Sequence, residues 1–294
     1  MKPLFIQSSK GRPPQKAGAS NSSTSDMRPT MIGVHKAIVE CERCPRLRHY
    51  CREIARVKKR AHQHDTYWGR PVPGFGDPAA RLLLIALAPA AHGANRTGRV
   101  FTGDGSGGSS EFLMAALHRA GFADRPTSQH ISDGLQLTDV FITSAVRCAP
   151  PDNTPLPEEI DRCRYHLEAE VSLLPNVRVV IALGRIAFDA WISMLRRRDV
   201  AFTTRPQFGH GTTIDPGADL PRLIGCYHPS RQNTNTGRLT PAMLDETLSS
   251  ARVLLVQGAE SQLAGGAGRG APPAPQARQG RARVGLSSDR TRSS

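Results

Sequence analysis

The sequence predicts an α/β fold: three layers, α/β/α, around a central, mostly parallel four-stranded sheet. Three observations carry that expectation. Four short apolar runs are continuous rather than alternating, amphipathic stretches lie between and after them, and glycine, proline or polar clusters bound each run. Continuous apolar character marks strands covered on both faces, the condition that helices on either side of a parallel sheet create.

The first run, Leu82–Leu87, is followed by a long glycine- and alanine-rich loop, Ala88–Gly108. A helix over Glu111–Arg119 then stops before Gly121. The second run, Val140–Val146, leads through Arg147–Thr154 into a helix over Pro157–Leu174, with Thr154 as its expected N-cap. Val177–Leu183 is the third strand, and a helix over Arg185–Leu195 opens after Gly184. The fourth run, Leu223–Tyr227, ends at the loop His228–Arg238. A last helix, Leu239–Val256, has Thr240 placed to cap it and Pro241 at the first helical position, where a missing N–H is harmless. No repeat or heptad divides the chain, so residues 31–258 read as one domain. Residues 1–30 and 259–294 are rich in Gly, Ser, Pro, Ala, Gln and Arg and nearly free of aliphatics, a composition that predicts disorder.

The 294-residue chain carries 39 Lys and Arg against 25 Asp and Glu, a formal net charge of +14. That balance points to an anionic partner, nucleic acid ahead of membrane or acidic protein, although both tails take a share of the charge. No apolar stretch approaches the roughly 20 residues that span a bilayer. The N-terminus lacks the apolar core of a secretory signal, so a cytoplasmic address is expected. In that reducing compartment six cysteines argue for metal ligands or buried thiols before disulfides.

Four cysteines form a constellation. Cys41 and Cys44 make a Cys-x2-Cys pair, Cys148 follows the second strand, and Cys163 lies in the helix after it. Two pairs supply four thiolates, which suit either tetrahedral zinc or an iron–sulfur cluster. Cys226 sits in an apolar strand and reads as core; Cys51 is at best a substitute ligand. The other unusual residues fall in the three loops after the first, second and fourth strands. Those are the places where open α/β sheets hold ligands.

Three motifs in order now carry a resemblance. The segment Leu87-Ala88-Pro89-Ala90-Ala91-His92-Gly93-Ala94-Asn95-Arg96-Thr97-Gly98-Arg99-Val100-Phe101-Thr102-Gly103-Asp104 resembles the first motif of the family 5, or type B, uracil-DNA glycosylases. Tyr227-His228-Pro229-Ser230-Arg231-Gln232-Asn233-Thr234-Asn235-Thr236-Gly237-Arg238 is similar to their last motif. The four cysteines match their iron–sulfur ligands, with Arg147-Cys148-Ala149-Pro150-Pro151-Asp152-Asn153 carrying the third. The resemblance covers roughly Ile38–Ala251. It implies the glycosylase α/β/α fold, a structural 4Fe–4S cluster on Cys41, Cys44, Cys148 and Cys163, and excision of uracil, together with other deaminated bases such as hypoxanthine, from double-stranded DNA.

Such an enzyme extrudes a nucleotide into a pocket before cutting its sugar–base bond. Small residues in the first loop, Ala88, Pro89, Ala90, Ala91 and Gly93, let backbone approach a planar base closely; His92 lies among them and Phe101 offers a stacking face. Bond cleavage places positive charge on the sugar and negative charge on the departing base, so fixed charges and donors should carry the catalysis. His228 matches the family histidine that stabilises the leaving base. The stretch Ala88–Gly93 holds no carboxylate, and matching to the family puts the water-orienting acid at Asp104, with Asp77 and Asp139 as rivals. Asn153 matches an asparagine that reads a base edge or holds the water. Family 4 relatives carry an asparagine where this chain has Ser144, a departure that fits broader base acceptance. The segment Ser230–Arg238 is expected to enter the minor groove as a loop, with Arg231 and Gln232 as wedge or orphan-base contacts and Arg238 on a phosphate. The matched motifs contain no lysine for a Schiff base, so a monofunctional enzyme that acts as a monomer and leaves an abasic site is expected. Two rivals stand beside it: a non-catalytic nucleic-acid-binding module stapled by a four-cysteine metal site, and a uracil-only glycosylase.

Overall fold

The computed structural model describes residues 29–266 apart from 104, 106, 218 and 219. The tails expected to be disordered fall largely outside the described residues. The chain opens with helices α1 (Met31–Val39) and α2 (Pro45–Val57), followed by a two-residue strand β1 (Phe75–Gly76). Then come β2 (Leu82–Ala86), the single turn α3 (Ala94–Thr97), α4 (Ser109–Arg119), β3 (Val140–Ser144) and α5 (Pro157–Ser172). The rest is β4 (Val179–Leu183), α6 (Arg185–Arg196), β5 (Thr213–Ile214), β6 (Arg222–Cys226), the short α7 (Arg231–Asn235) and α8 (Pro241–Gly266).

The strands form one mixed sheet of six in the order β1-β3-β2-β4-β6-β5. Its centre is the expected parallel quartet, with Leu83 paired to Phe141 and Val180, and Val180 to Leu223. The expected four-stranded sheet is thus extended by the antiparallel edge strands β1 and β5. Each of these has only two residues, half-buried or exposed, and so leaves no apolar run in the sequence. Short edges of this kind limit pairing with other chains.

The alternation of side chains across the pleat divides the core into two layers. Leu82, Leu84, Val140, Ile142 and Ile181 pack on one face with Leu113 and Leu117 of α4 and Leu244 and Leu248 of α8. Leu83, Ile85, Phe141 and Val180 pack on the other with Leu167 of α5 and Phe188 and Trp191 of α6. Cys226 belongs to the first layer, as its apolar strand implied. A third, smaller cluster joins Leu47 and Cys51 of α2 to Val146, Ala149 and three of the paired cysteines.

Local signals account for the helix ends, with two exceptions. The Thr240 hydroxyl accepts from Met243 N–H at 3.3 Å, and Pro241 opens α8 as expected. Thr154, by contrast, does not cap α5: it closes a 3₁₀ turn over Pro151–Asn153, and the helix starts at Pro157 behind Leu156. Pro155 disfavours helical geometry at Thr154, and the Glu159 carboxylate takes over by accepting from Leu156 N–H at 2.8 Å. Helix α8 also runs on to Gly266, past the boundary expected at Gly258. Among the described residues no helix is long and apolar enough to cross a membrane.

Candidate active site

Strand β2 is the switch point of the sheet: β3 lies on one side of it and β4, then β6, on the other. At the carboxyl ends of these strands lies a cavity of about 610 Å³. Leu87, Ala88, Pro89, Ala90 and Gly93 line it from the segment after β2, and Val100, Phe101, Thr102, Gly108 and Ser109 from further along the same connection. Strand β3 contributes Ser144 at its end and the segment behind it contributes Asp152 and Asn153; His228, Ser230, Arg231 and Gln232 close it from beyond β6. The three loops singled out in the sequence therefore meet at one place.

His228 emerges directly after β6. Its carbonyl accepts from Asn233 Nδ2 and from Ser230 N–H, both at 2.8 Å, so the start of α7 folds back onto it. The Phe101 ring stacks on the imidazole at 6.1 Å between centroids and 28° between planes. Phe101 holds a left-handed backbone with φ of 46°, uncommon for a bulky side chain. Behind His228, Tyr227 is stacked on His210 at 5.1 Å and covered by the Arg238 guanidinium at 4.7 Å. Its N–H donates to His210 Nδ1 at 3.2 Å. Burial lowers the His210 pKa below the ordinary value, and Nδ1 as acceptor matches a neutral ring.

Other expected site residues are placed differently. Ala91 packs on the cysteine cluster rather than in the cavity. His92 turns its Nδ1 to the Tyr67 hydroxyl at 3.0 Å, and burial together with the nearby Lys59, His62 and Arg96 lowers its pKa. Arg238 does not line the cavity, because its guanidinium lies over Tyr227. Ser230–Arg238 is not all loop: Ser230 caps the helical turn Arg231–Asn235 by accepting from Asn233 N–H. Asp104 lies outside the described residues. Its rivals Asp77 and Asp139 sit at the amino end of the strands, where Asp139 pairs with Arg81 and Asp77 accepts from Asp139 N–H at 2.9 Å.

Sequence reasoning passed over Asp152 as a candidate. Among the described residues it is the carboxylate that lines the cavity, and both it and Asn153 have φ of 54°. The signal was present, since Asp152 follows the Cys-Ala-Pro-Pro run directly, and tandem prolines force a turn that Asp and Asn tolerate in left-handed form.

Cys41, Cys44, Cys148 and Cys163 line a second, small cavity of about 20 Å³ together with Arg43, Arg48, Arg147, Arg162 and His166. None of the four is in a disulfide. Among the described residues no three metal-binding side chains converge on the point a single ion would take. Burial pushes the Cys163 thiol up to about 12 and raises Cys44; Cys148 rises through its hydrogen bond with Cys51 and burial. Arg147 N–H donates to Cys163 Sγ at 3.2 Å, and Cys51 Sγ lies 3.6 Å from the Ala149 carbonyl. Ala88, which lines the first cavity, also packs on the cysteine cluster, as Ala91 does beside it.

The profile of the uracil DNA glycosylase superfamily matches residues 73–252. Over 215 residues the chain is 51% identical to the type-5 uracil-DNA glycosylase of Mycobacterium tuberculosis, spanning 73% of this chain and 78% of that one. It is 49% identical over 220 residues to the type-5 uracil-DNA glycosylase of Thermus thermophilus, 74% of this chain and 95% of the other. The type-5 uracil-DNA glycosylase of Pyrobaculum aerophilum is 42% identical over 214 residues, covering 73% and 88%.

Proposed function

The chain belongs to the uracil DNA glycosylase superfamily, and from that premise we propose that it is a monofunctional type-5 uracil-DNA glycosylase. It rotates uracil out of double-stranded DNA and hydrolyses the sugar–base bond, leaving an abasic site for later repair steps. The observation that carries this reading is the meeting of Phe101, His228, Asn153 and the small residues Ala88–Ala90 around one cavity at the strand ends.

A base in that cavity meets an aromatic face at Phe101 and closely approaching backbone at Ala88–Ala90. As the bond lengthens, negative charge gathers on the base, and the imidazole of His228 serves as the donor that stabilises it. Positive charge on the sugar is offset by a carboxylate. Asp104 takes that role by its match to the family motif and orients the attacking water, while Asn153 reads the base edge or holds the water. Ser144, small and buried at the end of β3, leaves room for bases wider than uracil, so hypoxanthine belongs to the proposed range.

The cysteine site fits a 4Fe–4S cluster. A cluster takes one thiolate per iron, so it asks for four sulfurs spread around a volume rather than converging on one point. The cations Arg43, Arg48, Arg147 and Arg162 at that cavity suit an anionic metal–thiolate group. The positive charge of the bound irons in that group would offset the burial that raises Cys44, Cys148 and Cys163. Cys41, Cys44, Cys148 and Cys163 would hold it, and it would supply cross-linking of α2 and its approach to the segment after β3, not chemistry at the base. The same reading includes a cytoplasmic, nucleoid-associated monomer.

The deciding experiment incubates the protein with labelled duplexes carrying one uracil or one hypoxanthine, side by side. Alkali-labile sites at both are expected. Binding without such sites would favour the non-catalytic module, and cleavage at uracil alone the narrow enzyme.

A further inference from the structure

We propose that two arginine–aspartate pairs, Arg99–Asp133 and Arg96–Asp65, are positioning elements of the active site. They clamp Thr102 and Gly103 and so hold Phe101 against the His228 ring. This deepens the glycosylase reading and rests on it.

Phe101 needs an external restraint. A left-handed backbone on a bulky residue is strained and persists only where the surroundings over-determine it. The restraint begins at the next residue. Thr102, buried, accepts from Arg99 Nε at 3.0 Å, shares a hydrogen bond of 2.6 Å with Ser128 Oγ, and donates to the Val100 carbonyl at 3.0 Å. Gly103 is then gripped on both sides: its N–H donates to the Ser128 carbonyl at 2.9 Å and its carbonyl accepts from Arg96 Nη2. A Cβ on Gly103 would come within 2.6 Å of Thr97 Cγ2 and 2.8 Å of the Gln129 carbonyl, so only glycine passes through this clamp.

Each arginine is anchored in a segment distant in sequence. Arg99 is buried and donates from Nη2 to Asp133 Oδ2 at 2.7 Å and to Ser128 Oγ at 2.9 Å. Asp133 also accepts from Gln129 N–H at 2.8 Å and Leu135 N–H at 3.0 Å, which organises the whole turn. Burial alone would raise its carboxyl, but the Arg99 guanidinium and these backbone donors hold it far below the usual carboxylate range. Arg96 donates to Asp65 Oδ2 at 2.6 Å and to the His92 carbonyl at 3.0 Å. Asp65, Ser128 and Asp133 do not line the cavity, so they reach the reaction only through the loop they hold.

The test compares Ser128→Ala and Asp65→Ala with the parent protein, adding Asp133→Asn where that variant folds. We expect single-turnover excision of uracil to slow about ten- to a hundredfold, the scale of a displacement near 1 Å. Affinity for the uracil duplex should stay unchanged. The Cε1–H proton resonance of His228 should shift as the Phe101 ring current leaves it, a signature that loss of stability alone does not produce. Parent-like rates and an unmoved resonance in Ser128→Ala and Asp65→Ala would overturn the clamp. A parent protein that excises no uracil would instead overturn the glycosylase reading, and the resonance would still decide the clamp.

Discussion

Replacing Arg147 by methionine should destabilise the protein more than any surface substitution. Arg147 and Glu170 are 1% and 0% exposed and meet at 2.8 Å, so solvent screening does not weaken the pair. Glu170 spends its remaining acceptor sites on Gly74 N–H at 2.7 Å and the Thr143 hydroxyl at 2.6 Å, with His35 Nε2 at 3.5 Å. Arg147→Met removes the one permanent cation from this group and leaves a carboxylate buried without it. Breaking a buried pair in this one-sided way costs about 3–5 kcal/mol, which for a domain of this size lowers Tm by about 6–20 °C. The assay is thermal and urea unfolding of the parent, Arg147→Met, Glu170→Gln and the double variant. Glu170→Gln removes the charge but keeps acceptors, so it should cost less, and the double variant should cost less than the sum of the two. A loss under about 1 kcal/mol for Arg147→Met would refute the reasoning, because it would mean water or another cation already serves Glu170.

Three further outcomes follow from the same structure. Asp104→Ala should keep duplex binding and lose about 10²–10⁴ of the excision rate; an unimpaired variant would move the carboxylate's role, with Asp152 the next to test. The purified protein should be brown and contain about four irons with matching sulfide per chain, and a colourless protein with one zinc would remove the cluster. Stability should fall with acid below the ordinary histidine value of 6.5, since burial lowers His210, His35 and His92 in the folded chain. Unfolded, these rings take up protons at higher pH than they do folded. Their contribution is therefore intact above pH 6.5 and lost as pH drops from there. Urea midpoints compared between about pH 7 and pH 5 measure it, and a midpoint that rises on acidification would contradict it.

What the sequence disclosed follows from burial. The parallel quartet was legible because Leu82–Ala86, Val140–Ser144 and Val179–Leu183 are buried at every position, so apolar residues follow one another instead of alternating with polar ones, even though β3 ends on the buried Thr143 and Ser144. Helix α2 was passed over because arginines dominate its surface. Its signals were Pro45 at the first turn and the i, i+4 pair Leu47 and Cys51, which face the cysteine cluster. The cavity was legible as three loops, since strand ends imply it once the strands are known. Which loop residues face it was not legible. Ala91 and Ala90 are neighbours of the same type, yet one packs on the cysteines and the other lines the cavity. Arg238 stands in a motif that suggests phosphate contact, and only the fold reveals Tyr227 beneath it.

The division of labour in this protein explains that limit. Apolar burial fixes the sheet, but the loops that bear the chemistry have few apolar anchors and are held by charged pairs instead. Arg147–Glu170 pins the start of the segment that leads through Cys148 to Asp152 and Asn153, while Arg99–Asp133 and Arg96–Asp65 pin Phe101 to Gly103. A buried ion pair gives direction at short range, which apolar contact does not, and offers little net stability over an apolar substitute. Swapping both members of the Arg99–Asp133 pair for apolar residues of similar volume removes the two charges together, so it should cost less stability than Asp133→Ala alone, which leaves the Arg99 cation buried without its partner, and should still lose excision rate. Equal loss of rate and stability in that double variant would mean that the pair holds the fold rather than the geometry of the site.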